Sequence, residues 1–236
     1  MVARHRPADR FRTIAESPQS GDVLREMVSR LKAAYGPQHW WPARTRCEVV
    51  VGAILTQNTA WTNVERAIRN LRRARVLSFT ALRDLSEDRL AELIRPAGTY
   101  RVKARRLKAW VARLWADHNR SLDAMLAGPV DQVRRRLLAI HGIGPETADA
   151  ILLYAGSRPT FVVDAYALRI FRRHRLIDPG AGYETVRRLC LDALDDDVPL
   201  CNEFHALLVE LGKRHCRSRA LCDGCPLAAM PHDAQR

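Results

Sequence analysis

The sequence contains no run of about 18 apolar residues, and no apolar stretch follows the basic residues 1–6 at its start. The first absence predicts a protein without a membrane span, and the second argues against a secretory signal peptide. No alternating strand pattern, internal repeat or coiled-coil heptad persists along the chain. We therefore expect an all-α fold of about ten helices. The same absences lead us to expect a monomer that resides in the cytoplasm and does not contact membranes.

Acidic residues are in short supply. The 236 residues include 39 Lys and Arg against 26 Asp and Glu, which gives a formal net charge of +13 and a pI near 10.2. This excess favours a polyanionic partner, with nucleic acid as the first candidate, although it could also serve only solubility. The length allows one large or two small domains. Six cysteines in a cytoplasmic protein favour thiols or metal ligands over disulfides.

Residues 137–169 are the most informative stretch, because glycine and proline mark a turn between two predicted helices. A helix is predicted to end near Ile140, a turn follows at residues 141–144 (His-Gly-Ile-Gly), and Pro145 opens a second helix. Helices joined this closely leave backbone N–H groups pointing outward, which suits a phosphate. Twenty residues after Gly144, Asp164 is an acid inside the apolar run FVVDAY. A carboxylate in such a run requires a structural or a chemical reason.

The hairpin, Asp164 at its spacing and a C-terminal cysteine cluster together resemble the helix-hairpin-helix DNA glycosylase superfamily, in particular its endonuclease III branch. The resemblance extends over residues 22–225 and implies damaged double-stranded DNA as the partner, with association to the nucleoid. It also implies two helical lobes. A six-helix barrel lobe would span residues 38–158, and the second lobe would join residues 21–37 to residues 159–236. Residues 1–20 are expected to form a flexible basic arm.

Asp164 is the predicted catalytic residue. It could simply cap the helix that follows, and the two roles are compatible. The resemblance implies that this aspartate stabilises positive charge developing on the sugar, or activates the attacking water.

Glu146 occupies the position where bifunctional members of the branch have a lysine nucleophile. A carboxylate cannot form a Schiff base, so the sequence predicts a monofunctional glycosylase. Lys103 is a conceivable substitute amine, but its basic surroundings favour a phosphate contact or a solvated face.

Three tryptophans, Trp40, Trp41 and Trp61, are predicted to line the base pocket. Core packing is the alternative, but a Trp-Trp-Pro segment and the TQNTAW loop resemble the 3-methyladenine glycosylases of this branch. Those enzymes share a Glu-x-Ala-Asp pattern, which is present here at residues 146–149. Cationic alkylpurines suit a tryptophan face, and we expect Trp40 and Trp61 to sandwich the base. Oxidised pyrimidines remain the alternative substrate, and a non-catalytic damage-binding protein is the alternative from another class.

Two loops are expected to insert into the duplex, where a flipped nucleotide leaves a gap. Gln57 and the loop Gly98-Thr99-Tyr100 occupy the corresponding positions, although Thr99 is smaller than the usual apolar wedge and ordinary loop polarity is the alternative. The residues expected to contact DNA are Gln57, Thr99, Tyr100, Lys103, His141, Gly142, Ile143, Gly144 and Thr147.

Cys216, Cys222 and Cys225 form a C-x5-C-x2-C pattern after the last helix. The spacing resembles the [4Fe-4S] loop of the endonuclease III branch. The fourth cysteine of that loop would fall near Pro231 and is missing, so His232, His215 or an exogenous ligand would complete the site. A zinc site with three cysteines and one histidine, or an empty loop, are the alternatives.

Overall fold

The computed structural model describes residues 20–234, and the predicted basic arm therefore lies almost wholly outside the described residues. Within that range the chain is helical and contains no strand, only an isolated bridge between Cys216 and Ala220. The predicted all-α class is confirmed. The helices are α1 (Ser20–Tyr35), α2 (Arg46–Leu55), α3 (Trp61–Arg73), α4 (Phe79–Asp84), α5 (Glu87–Leu93), α6 (Tyr100–His118), α7 (Leu122–Leu126), α8 (Val130–Leu138), α9 (Pro145–Ala150), α10 (Ala165–Arg173), α11 (Tyr183–Ala193) and α12 (Val198–Arg214).

Two short non-α turns complete the helical elements. A 3₁₀ turn at Arg95–Ala97 precedes α6, and a π-helical turn at Ile151–Ala155 continues α9. Side chains before several helices accept backbone N–H groups of the first turn, which satisfies donors that have no partner inside the helix. These capping residues are Thr45, Ser78, Ser86, Ser121, Asp164 and Asp197.

The helices pack around a continuous apolar core. Residues 48–55 of helix α2 are all buried, so the helix is enclosed on every side, and it packs against α3, α6 and the π-helical turn. Helix α1 packs against α11 and α12, and α12 also packs against α10. These contacts join the N-terminal helix to the C-terminal helices, but the two-lobe division at residues 38 and 159 stays a prediction. None of the helices within residues 20–234 is long and apolar enough to cross a membrane.

Candidate active site

The predicted hairpin is formed by α8, the turn at residues 139–144 and α9. Gly142 has φ +81°, and a Cβ added there would lie 2.3 Å from Cγ of Arg106. Only glycine fits, both for its backbone angle and for this close contact. A Cβ added at Gly144 would meet nothing within 4 Å, so the backbone there is open to an approaching group.

Gln57 connects the loop after α2 to the hairpin. Its Nε2 donates to Gly142 O at 3.0 Å and to Thr147 Oγ1 at 2.8 Å, and its Oε1 accepts from Arg106. In this arrangement the side chain is held by the protein. The predicted insertion of Gln57 into the duplex would therefore require these three hydrogen bonds to break.

Asp164 caps α10. Its Oδ1 accepts from the backbone N–H of Ala167 at 2.8 Å, and its Oδ2 lies 3.8 Å from Nε2 of His205. The side chain is 15% exposed, so one edge of the carboxylate reaches solvent while the rest is enclosed by protein. This geometry shows the capping role directly and leaves the carboxylate available to a ligand.

Glu146 lies in the first turn of α9 and is exposed at the rim of this region. Partial desolvation by the surrounding protein, and then the negative charge of Asp164, raise the pKa of Glu146 to about 7. The charge of Asp164 therefore acts on Glu146, and near neutral pH a substantial fraction of Glu146 is protonated.

A fully buried carboxylate, Asp149, fixes the chain that leads to Asp164. Arg134 binds both of its oxygens, with its Nη2 2.9 Å from Oδ2, and Thr160 donates to Oδ1 at 2.6 Å. The hydroxyl of Tyr183 donates to Oδ2 at 2.9 Å and accepts from the N–H of Val163 at 3.4 Å. Asp149 therefore joins α8, α9, α11 and residues 160–163, the segment immediately before Asp164.

The three predicted pocket tryptophans form one cluster. Ring centroids are 5.4 Å apart for Trp40 and Trp41, 5.1 Å for Trp41 and Trp61, and 5.8 Å for Trp40 and Trp61. A base stacked between two rings needs a parallel slot about 7 Å wide, twice a stacking contact of about 3.5 Å. Trp40 and Trp61 are inclined at 48° and provide no such slot, so the expected sandwich is not formed here.

Three of the expected DNA contacts are turned inward. Lys103 is 1% exposed, and its Nζ donates to the carbonyls of Leu55 at 2.9 Å and Ala97 at 2.6 Å. Desolvation, followed by the charge of Arg106, lowers the pKa of Lys103 to about 8. The expectation of a solvated face or phosphate contact for Lys103 is therefore wrong. Its amine instead binds the last backbone carbonyls of α2 and of the 3₁₀ turn.

Ile143 and Thr147 are also buried, at 5% exposure each. The side chain of Ile143 packs in the core, and Thr147 bonds to Gln57. Only the backbone of these residues could approach DNA. In contrast, His141 and Thr99 are exposed, and Tyr100 is half-buried with the guanidinium of Arg95 over its ring.

The site also contains two residues that were not predicted from the sequence, His205 and Tyr154. His205 lies in α12 between apolar neighbours, and Tyr154 lies in the apolar run ILLYA of the π-helical turn. Their side chains meet at 2.6 Å, from Tyr154 Oη to His205 Nδ1. The signal that singled out Asp164, a polar group within an apolar run, applies to both.

The three C-terminal cysteines line one pocket of about 330 Å³, partly open to solvent, together with His174, His215 and His232. Arg173 donates to Cys216 Sγ at 3.1 Å. Thiols and imidazoles are suitable donors for a soft metal or a cluster. However, no three His, Cys, Asp or Glu side chains within residues 20–234 are arranged to hold a metal ion. The cofactor therefore stays a prediction.

The chain is similar in sequence to known DNA repair proteins. Residues 51–195 match the HhH-GPD superfamily, described as base excision DNA repair proteins. The chain belongs to this superfamily. It is also 49% identical, over 208 residues, to the Methanocaldococcus jannaschii protein named "Putative DNA repair glycosylase MJ1434", which covers 87% of this chain and 94% of that one. The matched range includes the hairpin turn at residues 142–144 and Asp164.

Solved structures give the same assignment of the fold. The Helicobacter pylori 3-methyladenine DNA glycosylase bound to 1,N6-ethenoadenine has a TM-score of 0.72 and 27% identity, over 83% of this chain and 97% of that chain. A non-covalent endonuclease III–DNA complex has a TM-score of 0.76 and 20% identity, over 89% and 94% of the two chains. This HhH-GPD protein is therefore a base excision repair DNA glycosylase by family.

Proposed function

We propose that this glycosylase is monofunctional and hydrolyses the N-glycosidic bond of a flipped-out alkylated purine such as 3-methyladenine. The observation that carries the proposal is the pair formed by Asp164 and Glu146. The charge of Asp164 acts on Glu146, and the family resemblance assigns Glu146 to the position where a lysine would attack the sugar. Because neither group can form a Schiff base, water is the remaining nucleophile.

The lysines of the chain support this proposal. The sequence has only four, and the amines of Lys103 and Lys108 are bound to backbone carbonyls. Lys32 lies in the last turn of α1, a helix that packs against α11 and α12. Lys213 is the lysine at the tryptophan cluster, with its Nζ 5.7 Å from the ring centre of Trp40. It is therefore the residue to test if an amine does react with DNA.

The tryptophan cluster supports the choice of substrate. A 3-alkylated purine is cationic, and an indole face attracts a cation by up to about 2 kcal/mol when both are desolvated. The cation also leaves readily, so no strong general acid is required, and Asp164 would stabilise the charge left on the sugar. Since the rings of Trp40 and Trp61 form no slot, the base would stack on an outer face of the cluster.

The test compares duplexes that contain 3-methyladenine (or a stable analogue), thymine glycol, or a G·T or G·U mismatch, with and without alkali. We expect release of the alkylated base, strand breaks only after alkali, and no product trapped by borohydride. Release confined to a mismatched or oxidised base would reject the alkylpurine substrate. Nicking of thymine glycol with borohydride trapping would reject the monofunctional mechanism, and loss of trapping in Lys213→Ala would then identify the amine.

We further propose that Cys216, Cys222 and Cys225 hold a [4Fe-4S] cluster with a structural role, completed by His232 or by an exogenous ligand. Purified protein is then expected to contain about four iron atoms per chain and to absorb broadly in the visible range. Cys225→Ser should lose this iron, whereas Cys47→Ser, at a half-buried thiol of α2, should retain it. One zinc per chain would favour the zinc site instead, and protein without either metal would reject both.

A further inference from the structure

We propose that His205, fixed by Tyr154, is a positioning residue for the Asp164 carboxylate. The inference rests on the proposed function, because it assumes that Asp164 acts on the sugar. His205 is 4% exposed and lies between the other two groups. Its Nδ1 is 2.6 Å from Tyr154 Oη, and its Nε2 is 3.8 Å from Asp164 Oδ2. That Nε2 has no hydrogen-bond partner among the described residues.

The hydrogen bond to Tyr154 determines which ring nitrogen of His205 carries the proton. Burial lowers the pKa of His205, although Asp164 opposes the shift, so the ring is neutral with one donor and one acceptor. Burial and the charge of Asp164 raise the pKa of Tyr154 well above 10, so the phenol keeps its proton. If Tyr154 donates to Nδ1, the proton of His205 is on Nε2 and points towards Asp164.

The opposite tautomer is disfavoured by electrostatics. With the proton on Nδ1, the lone pair of Nε2 would face the carboxylate oxygens of Asp164, and two electron-rich groups would oppose one another in a buried setting. Tyr154 therefore acts through His205, by keeping an N–H directed at Oδ2.

This N–H would restrict the orientation of the carboxylate. The Oδ1 of Asp164 is already held by Ala167 N–H at 2.8 Å, whereas Oδ2 is 3.8 Å from His205, beyond the usual 2.7–3.2 Å range of a hydrogen bond. A shift of about 1 Å would bring the two atoms within hydrogen-bond distance and complete the second contact. A carboxylate held at both oxygens is oriented before the sugar develops charge, and reorganisation during the reaction is reduced.

Tyr154 also contacts the tryptophan cluster. Its ring centroid is 5.0 Å from that of Trp41, and it lies in the π-helical turn Ile151–Ala155. One-turn π segments inside helices are frequent at functional sites, because they rotate the following side chains out of the regular α register. Tyr154 thus contacts both the tryptophan cluster and His205.

The test measures the single-turnover rate of base release and the duplex dissociation constant for His205→Leu, His205→Gln and Tyr154→Phe. We expect His205→Leu to lower the rate about 10- to 100-fold, as is usual for a residue that orients a reactive group. Duplex affinity should not change. His205→Gln, whose side-chain N–H can reach the position of Nε2, should recover most of the rate. Tyr154→Phe should lower the rate less than His205→Leu. It tests the role of the Tyr154–His205 hydrogen bond even if the leucine variant fails to fold.

A double variant separates positioning from a general structural role. If His205 acts only through Asp164, His205→Leu should cause no further loss of rate in an Asp164→Asn background. Multiplicative losses would overturn the inference, and so would full rates in both His205→Leu and Tyr154→Phe. Failure of the proposed function is distinguishable, because Asp164→Asn would then retain full activity by itself.

Discussion

Replacement of Asp164 by asparagine is expected to lower the single-turnover rate of base release about 100- to 1,000-fold. Asparagine has nearly the same shape, and its side-chain oxygen can still accept from Ala167 N–H, so the start of α10 should persist. Under the proposed mechanism, only the negative charge next to the developing oxocarbenium ion is lost. Duplex affinity should be equal or tighter, since a negative charge is removed from a DNA-binding surface.

The matched control is Asp178→Asn, at an exposed aspartate between α10 and α11. It removes the same charge and should change neither the rate nor the affinity appreciably. Full activity in Asp164→Asn would exclude this carboxylate from the mechanism. A rate loss accompanied by an equal loss of affinity would indicate that Asp164 supports binding, as expected of a damage-binding protein without turnover.

The features predicted correctly from the sequence are those with local causes. A helix ending at a glycine-rich turn, a proline at the next helical position and a capping aspartate are each determined by a few neighbouring residues. The hairpin and the cap at Asp164 therefore appear in the structure where they are predicted. Cys216, Cys222 and Cys225 do line one pocket, but the predicted metal site stays a prediction because no three potential ligands within residues 20–234 are arranged to hold an ion.

The remaining features depend on contacts between distant parts of the chain. Lys103 belongs to an arginine-rich run, and nothing in that run indicates that its amine binds the backbone carbonyls of Leu55 and Ala97. His205 is 51 residues from Tyr154 in sequence, so their hydrogen bond has no local signature. The packing of the three tryptophans against one another is also a tertiary property. The sequence therefore could not show that Trp40 and Trp61 leave no slot for a base between them.

Replacement of Asp149 by alanine is expected to lower the free energy of unfolding by about 3–5 kcal/mol. Asp149 is 0% exposed, and the guanidinium groups of Arg134 and Arg187 lie beside it with 12% and 9% exposed side chains. Removing the carboxylate leaves these charges, and the hydroxyls of Thr160 and Tyr183, without their acceptor in a poorly hydrated environment. Uncompensated buried charge is among the most destabilising results of a single substitution.

Thermal or urea unfolding of the Asp149→Ala variant would measure this loss, with a melting temperature lower by about 10 °C. Asp178→Ala removes an exposed carboxylate and should change stability by less than about 0.5 kcal/mol. A loss below 1 kcal/mol in Asp149→Ala would contradict the prediction. It would mean that Glu184, which already accepts from Arg134 Nη2 at 2.6 Å, can neutralise both arginines by itself. The segment before Asp164 would then be held by packing, and the shape of the site would not depend on a buried charge.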